Sequence, residues 1–176
     1  MYKRQYRLTG NVNDDAPMIR LLGSGPIMKN VISASEDLNG RGITTEIWSV
    51  TSYGELRREG LEFERIKRFD PKHEGVPYVE ACFGDGIPTV AASDYIAAVP
   101  EMIQRWTKGG FLPLGTDGFG RSDTREELRR FFEVDSDSIV LASLSLLERQ
   151  GGIPPGSSSS FAQEAGLSYD RKDVTL

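Results

Sequence analysis

The chain has 176 residues, of which 38% are hydrophobic and 27% charged, and its formal net charge is -5 at pH 7. That length fits one domain with a hydrophobic core of its own. A mildly acidic chain is a poor candidate for a basic nucleic-acid-binding face, so we expect no nucleic-acid partner. No apolar run approaches the ~20 residues that span a bilayer, and the basic N-terminus leads into no apolar signal segment. We therefore expect a cytoplasmic protein without membrane contact.

The histidine and cysteine counts limit the chemistry that the chain offers. The only histidine is His73 and the only cysteine is Cys82. A zinc site draws several ligands from these two residue types, so we expect no metal site. His73 lies in a polar loop, which favours a solvated side chain. Cys82 lies in an apolar run, which favours a small buried residue. The sequence therefore indicates no catalytic residue.

Predicted strands and helices alternate along the chain. Residues 1–16 are polar and aperiodic and are predicted as a lead-in outside the core. A strand over 18–22 stops at a Gly-Ser-Gly-Pro turn, and apolar residues three and four apart predict a helix over 26–39. Residues 43–50 are rich in β-branched and aromatic side chains and are predicted as a second strand. Thr51 or Ser52 would cap the next helix, which ends at Asp-Pro.

Three more strands and four more helices are predicted after Pro71. The strands are 78–83, 89–92 and 111–114. Residues 95–106 are predicted as a helix in which Pro100 marks a late start or a kink. Asp123 is predicted to cap a helix through 132, and Asp135 or Ser136 one through 149. The Gly/Pro/Ser-rich tail 151–176 would hold one short helix over 158–165.

This alternation is typical of an α/β domain, here over residues 17–150. It predicts a mostly parallel sheet with helices on both faces, a three-layer α/β/α arrangement. Ligands usually bind at the carboxyl ends of such strands.

Two glycine motifs at predicted turns have the beginnings of ligand-binding patterns. Gly23-Ser24-Gly25 stands where a dinucleotide fingerprint would start, but Met28 occupies the position of the third glycine. A tight turn is the favoured interpretation. Gly84-Asp85-Gly86 opens like the magnesium and diphosphate motif of thiamine-dependent enzymes, but no asparagine pair follows and Pro88 interrupts the expected helix. We interpret it as a turn, and we predict no cofactor-binding residue.

The strongest local pattern is the glycine-rich loop after the fifth strand. Asp117, Arg121 and Asp123 place charges around the apolar Phe119. Glycines in this loop permit positive φ angles or close backbone approach. Two interpretations remain open: a structured turn before a capped helix, or an interface loop in which Phe119 is the anchor and Arg121 binds a carboxylate.

A resemblance rests on two long strings. Residues 48–60 (WSVTSYGELRREG) and 114–125 (LGTDGFGRSDTR) resemble the C-terminal domain of the bacterial homodimeric pyruvate dehydrogenases, the decarboxylating first component of the complex. Shorter matches in the same order extend the resemblance over about residues 18–150.

The resemblance implies a transketolase-like C-terminal domain, with a mostly parallel five-stranded sheet and one antiparallel edge strand. It implies that the whole enzyme decarboxylates pyruvate on thiamine diphosphate with magnesium and passes the acetyl group to the lipoyl group of the acyltransferase component. The cofactor and catalytic residues of that family lie in the preceding domains. This chain is therefore expected to bind no cofactor and to be inactive alone, with a structural or interface role for Asp117, Phe119, Arg121 and Asp123.

The expected partners are the preceding catalytic domains, the second subunit of a homodimer and the lipoyl acetyltransferase component. Met1 stands where the preceding domain should end, so the chain is expected to be either a fragment or a stand-alone domain. We favour an assembly domain of the enzyme. The alternatives are an interaction module that binds a separate catalytic chain in trans, and an independent small enzyme or nucleotide-binding protein that uses Gly23-Ser24-Gly25 at the strand ends.

Overall fold

A five-stranded sheet lies at the centre of the structure, a computed structural model that describes residues 5–10 and 16–170. Its strands are β1 (Gln5–Gly10), β2 (Met18–Gly23), β3 (Thr44–Val50), β4 (Thr89–Ala92) and β5 (Phe111–Leu114). Their order is β1-β3-β2-β4-β5. Strands β2 to β5 are parallel, and β1 pairs antiparallel with β3 at one edge. The mostly parallel sheet with one antiparallel edge strand is thus confirmed.

Helices cover both faces of the sheet. They are α1 (Met28–Gly40), α2 (Tyr53–Phe69), α3 (Tyr78–Phe83), α4 (Ala98–Glu101), α5 (Arg125–Phe131), α6 (Ser136–Arg149) and α7 (Ser157–Glu164), with 3-10 turns at Gly25–Ile27 and Gln104–Trp106. Apolar residues of α1, α6 and α7 form a core on one face, and those of α2, α3 and the second 3-10 turn form a core on the other. The three-layer α/β/α arrangement is therefore confirmed.

Strand β2 shows why both faces are covered. Ile19 and Leu21 belong to the core on the α1 and α6 side, whereas Leu22 belongs to the core beneath α2 and α3. All three side chains are fully buried. A strand whose neighbours are parallel and whose two faces are apolar needs helices on both sides.

The structure decides between the alternative helix caps. Ser52 caps α2, because its hydroxyl accepts a hydrogen bond from the Glu55 N–H at 3.2 Å. Asp135 caps α6, because its carboxylate accepts one from the Ser138 N–H at 2.9 Å. Both are side-chain oxygens that satisfy free N–H groups of a first turn.

The prediction of a strand over residues 78–83 is wrong, because these residues form helix α3. Val79 and Phe83 are one helical turn apart and both are fully buried, so a helix places them on one apolar face. Pro77 precedes the helix in an extended conformation (φ -62°, ψ 152°) and starts it. Cys82 therefore lies on a helix and not in a strand.

The prediction of a lead-in without core structure is also wrong for residues 5–10, which form β1. Of its side chains, Gln5 is buried, but Tyr6 and Leu8 are 45% and 50% exposed. An edge strand held mainly by backbone pairing to β3 carries no apolar alternation to reveal it. The rest of the predicted lead-in at 1–4 and 11–15 lies outside the described residues.

The helix predicted over 95–106 is shorter in the structure. Residues 93–97 form a loop, α4 spans Ala98–Glu101, and a 3-10 turn follows. Pro100 lies in the first turn of α4, where its missing N–H costs little, so it marks a late start. The short helix predicted in the tail is confirmed as α7, anchored by the buried Phe161. The last residues of that tail, 171–176, lie outside the described part.

Candidate docking site at the carboxyl edge of the sheet

Two loops leave the carboxyl ends of β4 and β5 and are joined to each other. They span residues 93–97 and 115–123. The Thr116 N–H donates a hydrogen bond to the Tyr95 carbonyl at 2.9 Å. The Thr116 hydroxyl donates to the Asp94 carbonyl at 3.0 Å. Because β4 and β5 are neighbouring parallel strands, the two loops lie side by side at the same edge of the sheet, where hydrogen bonds join them.

A glycine makes the close approach of these loops feasible. A Cβ atom on Gly115 would lie 2.2 Å from the backbone nitrogen of Ala97, a distance that no side chain tolerates. Asp117 adds to the contact, because its Oδ1 accepts a hydrogen bond from the Ala97 N–H at 3.2 Å. Asp117, which the sequence singled out, therefore binds the neighbouring loop.

Three large apolar side chains are exposed on this joined surface. Phe119 is 78% exposed, Tyr95 69% and Ile96 51%. We call these three residues the carboxyl-edge patch. Of these three, the sequence pattern indicates only Phe119, because Tyr95 and Ile96 fall in a predicted helix. Their position directly after β4 was the signal that could have found them.

The other two candidate residues act within their own segment. Asp123 accepts a hydrogen bond from the adjacent Thr124 N–H at 2.8 Å. Thr124 is the residue that caps α5, since its hydroxyl accepts from the Glu127 N–H at 3.3 Å, so the prediction that Asp123 caps this helix is wrong. The Arg121 guanidinium lies over the Phe131 ring, 4.2 Å from its centre. The four candidate residues therefore do not converge on one point.

A partly buried polar cluster, which no sequence pattern indicates, lies beneath the loops. Arg129 on α5 donates to both carboxylate oxygens of Asp94, with its Nη2 3.1 Å from Oδ2. Its Nη1 donates to Asn30 Oδ1 at 3.1 Å, and the Asn30 amide donates to the Val134 carbonyl at 3.3 Å. The cluster joins α1, α5 and the loop after β4. No local pattern marks these residues, which are far apart in the chain.

The Gly84-Asp85-Gly86 turn does not fit a magnesium and diphosphate site. Arg20 Nη1 and Nη2 donate to the two carboxylate oxygens of Asp85 at 3.0 and 2.5 Å. Partial burial alone would raise the pKa of Asp85, but the hydrogen bonds from Arg20 and from the Ile87 N–H outweigh it and lower that pKa. A carboxylate whose two oxygens already bind a guanidinium is a poor cation ligand. The residues of this turn therefore do not fit thiamine diphosphate and its metal.

The Gly23-Ser24-Gly25 turn is explained by packing. A Cβ atom on Gly23 would lie 2.6 Å from the Met28 sulfur and 2.9 Å from a methyl carbon of Val31. Gly25 has a φ of 68°, in the left-handed region that favours glycine. The turn lets β2 enter α1 at close range, which agrees with the tight-turn interpretation.

Among the residues that the structure describes, neither His73 nor Cys82 belongs to a group of side chains that could hold a metal ion. The His73 ring lies 5.2 Å from the Phe63 ring, beside α2. Burial raises the pKa of the half-buried Cys82 thiol. Within residues 5–10 and 16–170, no group of three or more His, Cys, Asp or Glu side chains is arranged to hold a metal ion. Among the described helices, none has the length and hydropathy needed to cross a membrane.

The fold defines a class, the C-terminal domains of transketolase type. The model of one such family, described as "Transketolase-like TK C-terminal domain", matches residues 5–135. The chain belongs to this family. Among solved structures, the transketolase from Leishmania mexicana superposes with a TM-score of 0.58 at 21% identity, over 89% of this chain and 20% of that one. A transketolase from Pichia stipitis in complex with sedoheptulose-7-phosphate gives 0.57 at 18% identity, over 85% and 19%.

Relatives with higher identity are pyruvate dehydrogenase E1 components. The protein from Pseudomonas aeruginosa is 39% identical over 97% of this chain and 20% of its own length. The protein from Mycolicibacterium smegmatis is 39% identical over 91% and 17%. The protein from Escherichia coli K12 is 41% identical over 77% and 15%. The chain is thus homologous to the pyruvate dehydrogenase E1 component and spans a fifth or less of the length of these relatives.

Proposed function

We propose that the chain acts as the C-terminal assembly domain of a pyruvate dehydrogenase E1 component and is inactive alone. The observation that carries this proposal is the carboxyl-edge patch on a domain homologous to E1. Its residues Tyr95, Ile96 and Phe119 are 69%, 51% and 78% exposed. Exposed aromatic side chains held on a rigid surface are typical anchors of protein interfaces.

Each of the four candidate residues has a role in this proposal. Asp117 and Asp123 shape the loop through their hydrogen bonds to Ala97 and Thr124. Phe119 is the anchor. Arg121, two residues after Phe119 in the same loop, would bind a carboxylate of the docked domain.

The partners follow from the homology. The patch would dock on the preceding catalytic domains or on the second subunit of a homodimer, and the assembled enzyme would serve the lipoyl acetyltransferase component in the cytoplasm. The chemistry of that enzyme, pyruvate decarboxylation on thiamine diphosphate with magnesium and transfer of the acetyl group to a lipoyl group, would be carried by its other domains. If the catalytic region is encoded separately, the same patch would act in trans.

Activity assays on the isolated chain test the first half of the proposal. We expect neither pyruvate decarboxylation nor saturable binding of thiamine diphosphate in the presence of magnesium. Cofactor binding together with turnover would overturn the assignment as a non-catalytic domain.

Association with a catalytic partner tests the second half. The partner is an E1 polypeptide from the same organism that lacks the region matching this chain, and sedimentation velocity measures the complex. We expect Phe119→Ala to weaken association by about tenfold or more, as for a central interface aromatic. Phe69→Ala is the matched control, because Phe69 is 80% exposed at the end of α2. Equal affinity of the two variants would contradict docking through the patch.

A further inference from the structure

A cavity of about 340 Å³ lies next to the carboxyl-edge patch. Residues that follow β2, β4 and β5 form its walls, among them Pro26, Asp94 and Thr116. The neighbours of β2 are β3 on one side and β4 on the other, so the strand order reverses between β2 and β4. In open α/β sheets, small ligands bind in the crevice at such a reversal, and a cavity of this size is at the lower end of ligand pockets, which run from about 300 to 1,000 Å³.

The charges on the walls favour an anion. Three arginines, Arg121, Arg125 and Arg129, line the cavity together with one carboxylate, Asp94. That carboxylate is already bound by Arg129 through both oxygens. With that pair balanced, Arg121 and Arg125 leave the lining of the cavity with a net positive charge. We call this cavity the arginine cavity.

Within residues 5–10 and 16–170, neither Arg121 nor Arg125 has an ion pair, whereas Arg129 pairs with Asp94. Across the part of the chain that the structure describes, no ion pair or side-chain hydrogen bond engages the Arg125 guanidinium. Arg121 rests on the Phe131 ring, a contact that holds a guanidinium in place without neutralising it. Two arginines with free donors are the recognition groups that phosphate oxygens prefer.

One wall of the arginine cavity is a side chain held in place by hydrogen bonds, and another lets a ligand come close to the backbone. Arg129 is held by Asp94 and Asn30, and its side chain is only 11% exposed. Gly118, with a φ of 118°, brings backbone to the cavity without a side chain. Pro26, Leu128 and Phe132 supply apolar surface.

The depression on the other side of the same loop gives a contrast. Arg121 and Arg130 line it together with Asp123 and Glu127, so its charges balance. We therefore expect an anion to bind more strongly in the arginine cavity than in this depression, although Arg121 lines both.

We propose that the arginine cavity binds a phosphate or diphosphate group of a small molecule through Arg121 and Arg125. The Arg129–Asp94 pair is the fixed wall of the site, and the apolar side chains accept the uncharged part of the ligand. None of the three residues of the carboxyl-edge patch lines this cavity, but Arg121 has a role in both proposals.

Calorimetric titration of the chain with inorganic pyrophosphate tests the proposal. We expect saturable binding that Arg125→Gln and Arg121→Gln each weaken by about tenfold, the effect of losing one charge-assisted contact. Arg130→Gln is the matched control, because it removes the same charge from an exposed position on α5 outside the arginine cavity and should change affinity by less than about twofold. Equal losses in all three variants would show unspecific attraction and overturn the site. So would an absence of saturation by about 10 mM pyrophosphate.

Three further measurements separate the remaining outcomes. In the unmodified chain, pyrophosphate should shift the amide NMR signals of Gly118 and Gly120, which tests the location without any substitution. Glutarate, a dicarboxylate, should bind more weakly, and equal affinity would overturn the assignment to phosphate. Phe119→Ala should leave pyrophosphate binding unchanged, so failure of this site and failure of the docking proposal are distinguishable.

Discussion

Arg20 and Glu46 lie opposite each other on the neighbouring parallel strands β2 and β3, and Arg20 Nε donates to Glu46 Oε2 at 2.5 Å. Both residues are buried, with 1% and 4% exposure. Arg20 also binds Asp85, and Glu46 also pairs with Arg7 at 3.1 Å. The centre of the sheet therefore contains a buried ion pair. Each of its two members also has a second partner, which comes from another segment of the chain.

Removing Arg20 should strongly destabilise the domain. Arg20→Met leaves Glu46 buried with only a half-exposed partner, and we expect a loss of about 3–5 kcal/mol in the free energy of unfolding, measured with urea. The double variant Arg20→Met/Glu46→Leu should recover most of that loss, because apolar residues can replace a buried ion pair. Arg57→Met, at an exposed position on α2, is the control and should change stability by less than about 0.5 kcal/mol. A single variant as stable as the parent would contradict this account.

The Asp85–Arg20 contact should make stability depend on pH in the acid range. The pKa of Asp85 is lowered in the folded state, so its contribution is fully present above the pKa of an unfolded Asp, about 3.9. That contribution is lost as the pH falls through the lower, folded pKa. The stability difference between the parent and Asp85→Asn should thus be largest near neutral pH and shrink below about pH 4, measured by urea unfolding across pH. A difference that does not change with pH would argue against the contact.

Gly115 should be intolerant of any side chain. A Cβ there would lie 2.2 Å from the Ala97 nitrogen, and the loop after β4 cannot withdraw without breaking its hydrogen bonds. We expect Gly115→Ala to cost about 1–3 kcal/mol, as overpacking does. Gly120→Ala, in the same loop with no atom within 4 Å of the added Cβ, should cost much less. Equal thermal stabilities of the two variants would refute the close approach.

Phe119 should contribute little to the stability of the isolated domain. Because its side chain is 78% exposed, Phe119→Ala should change the free energy of unfolding by no more than about 0.5 kcal/mol. Phe161→Ala is the contrast, since Phe161 is 3% exposed in the core and its loss should cost about 3–5 kcal/mol. Thermal melts of both variants measure the difference. A large loss at Phe119 would mean that it packs in the core.

Much of the fold could be predicted locally, and the failures have physical causes. Met18–Gly23 and Phe111–Leu114 are short apolar runs between turns, which is a strand pattern. Tyr78–Phe83 is rich in residues that favour strands, yet burial of Val79 and Phe83 on one face selects a helix. Gln5–Gly10 gains its structure from pairing with β3, a partner that its own residues do not reveal.

The candidate site likewise has one part that the sequence indicates and another that it does not. The glycine-rich loop with Phe119 and Arg121 was recognisable in sequence, because glycines and charges cluster there within a few residues. The Arg129–Asp94 pair was not, because its members are 35 residues apart and meet only when α5 packs over the end of β4. The exposure of Phe119 likewise depends on which loops lie beside it.

The sequence by itself determined the three-layer α/β arrangement and the family, because strand and helix periodicity and long motif strings are local properties of the chain. Only the tertiary structure decided which charges are compensated and which remain free. Arg20 and Arg129 are neutralised by carboxylates from distant segments, whereas Arg125 faces a cavity. Electrostatic compensation depends on distances of a few ångströms between such segments, and folding alone sets those distances.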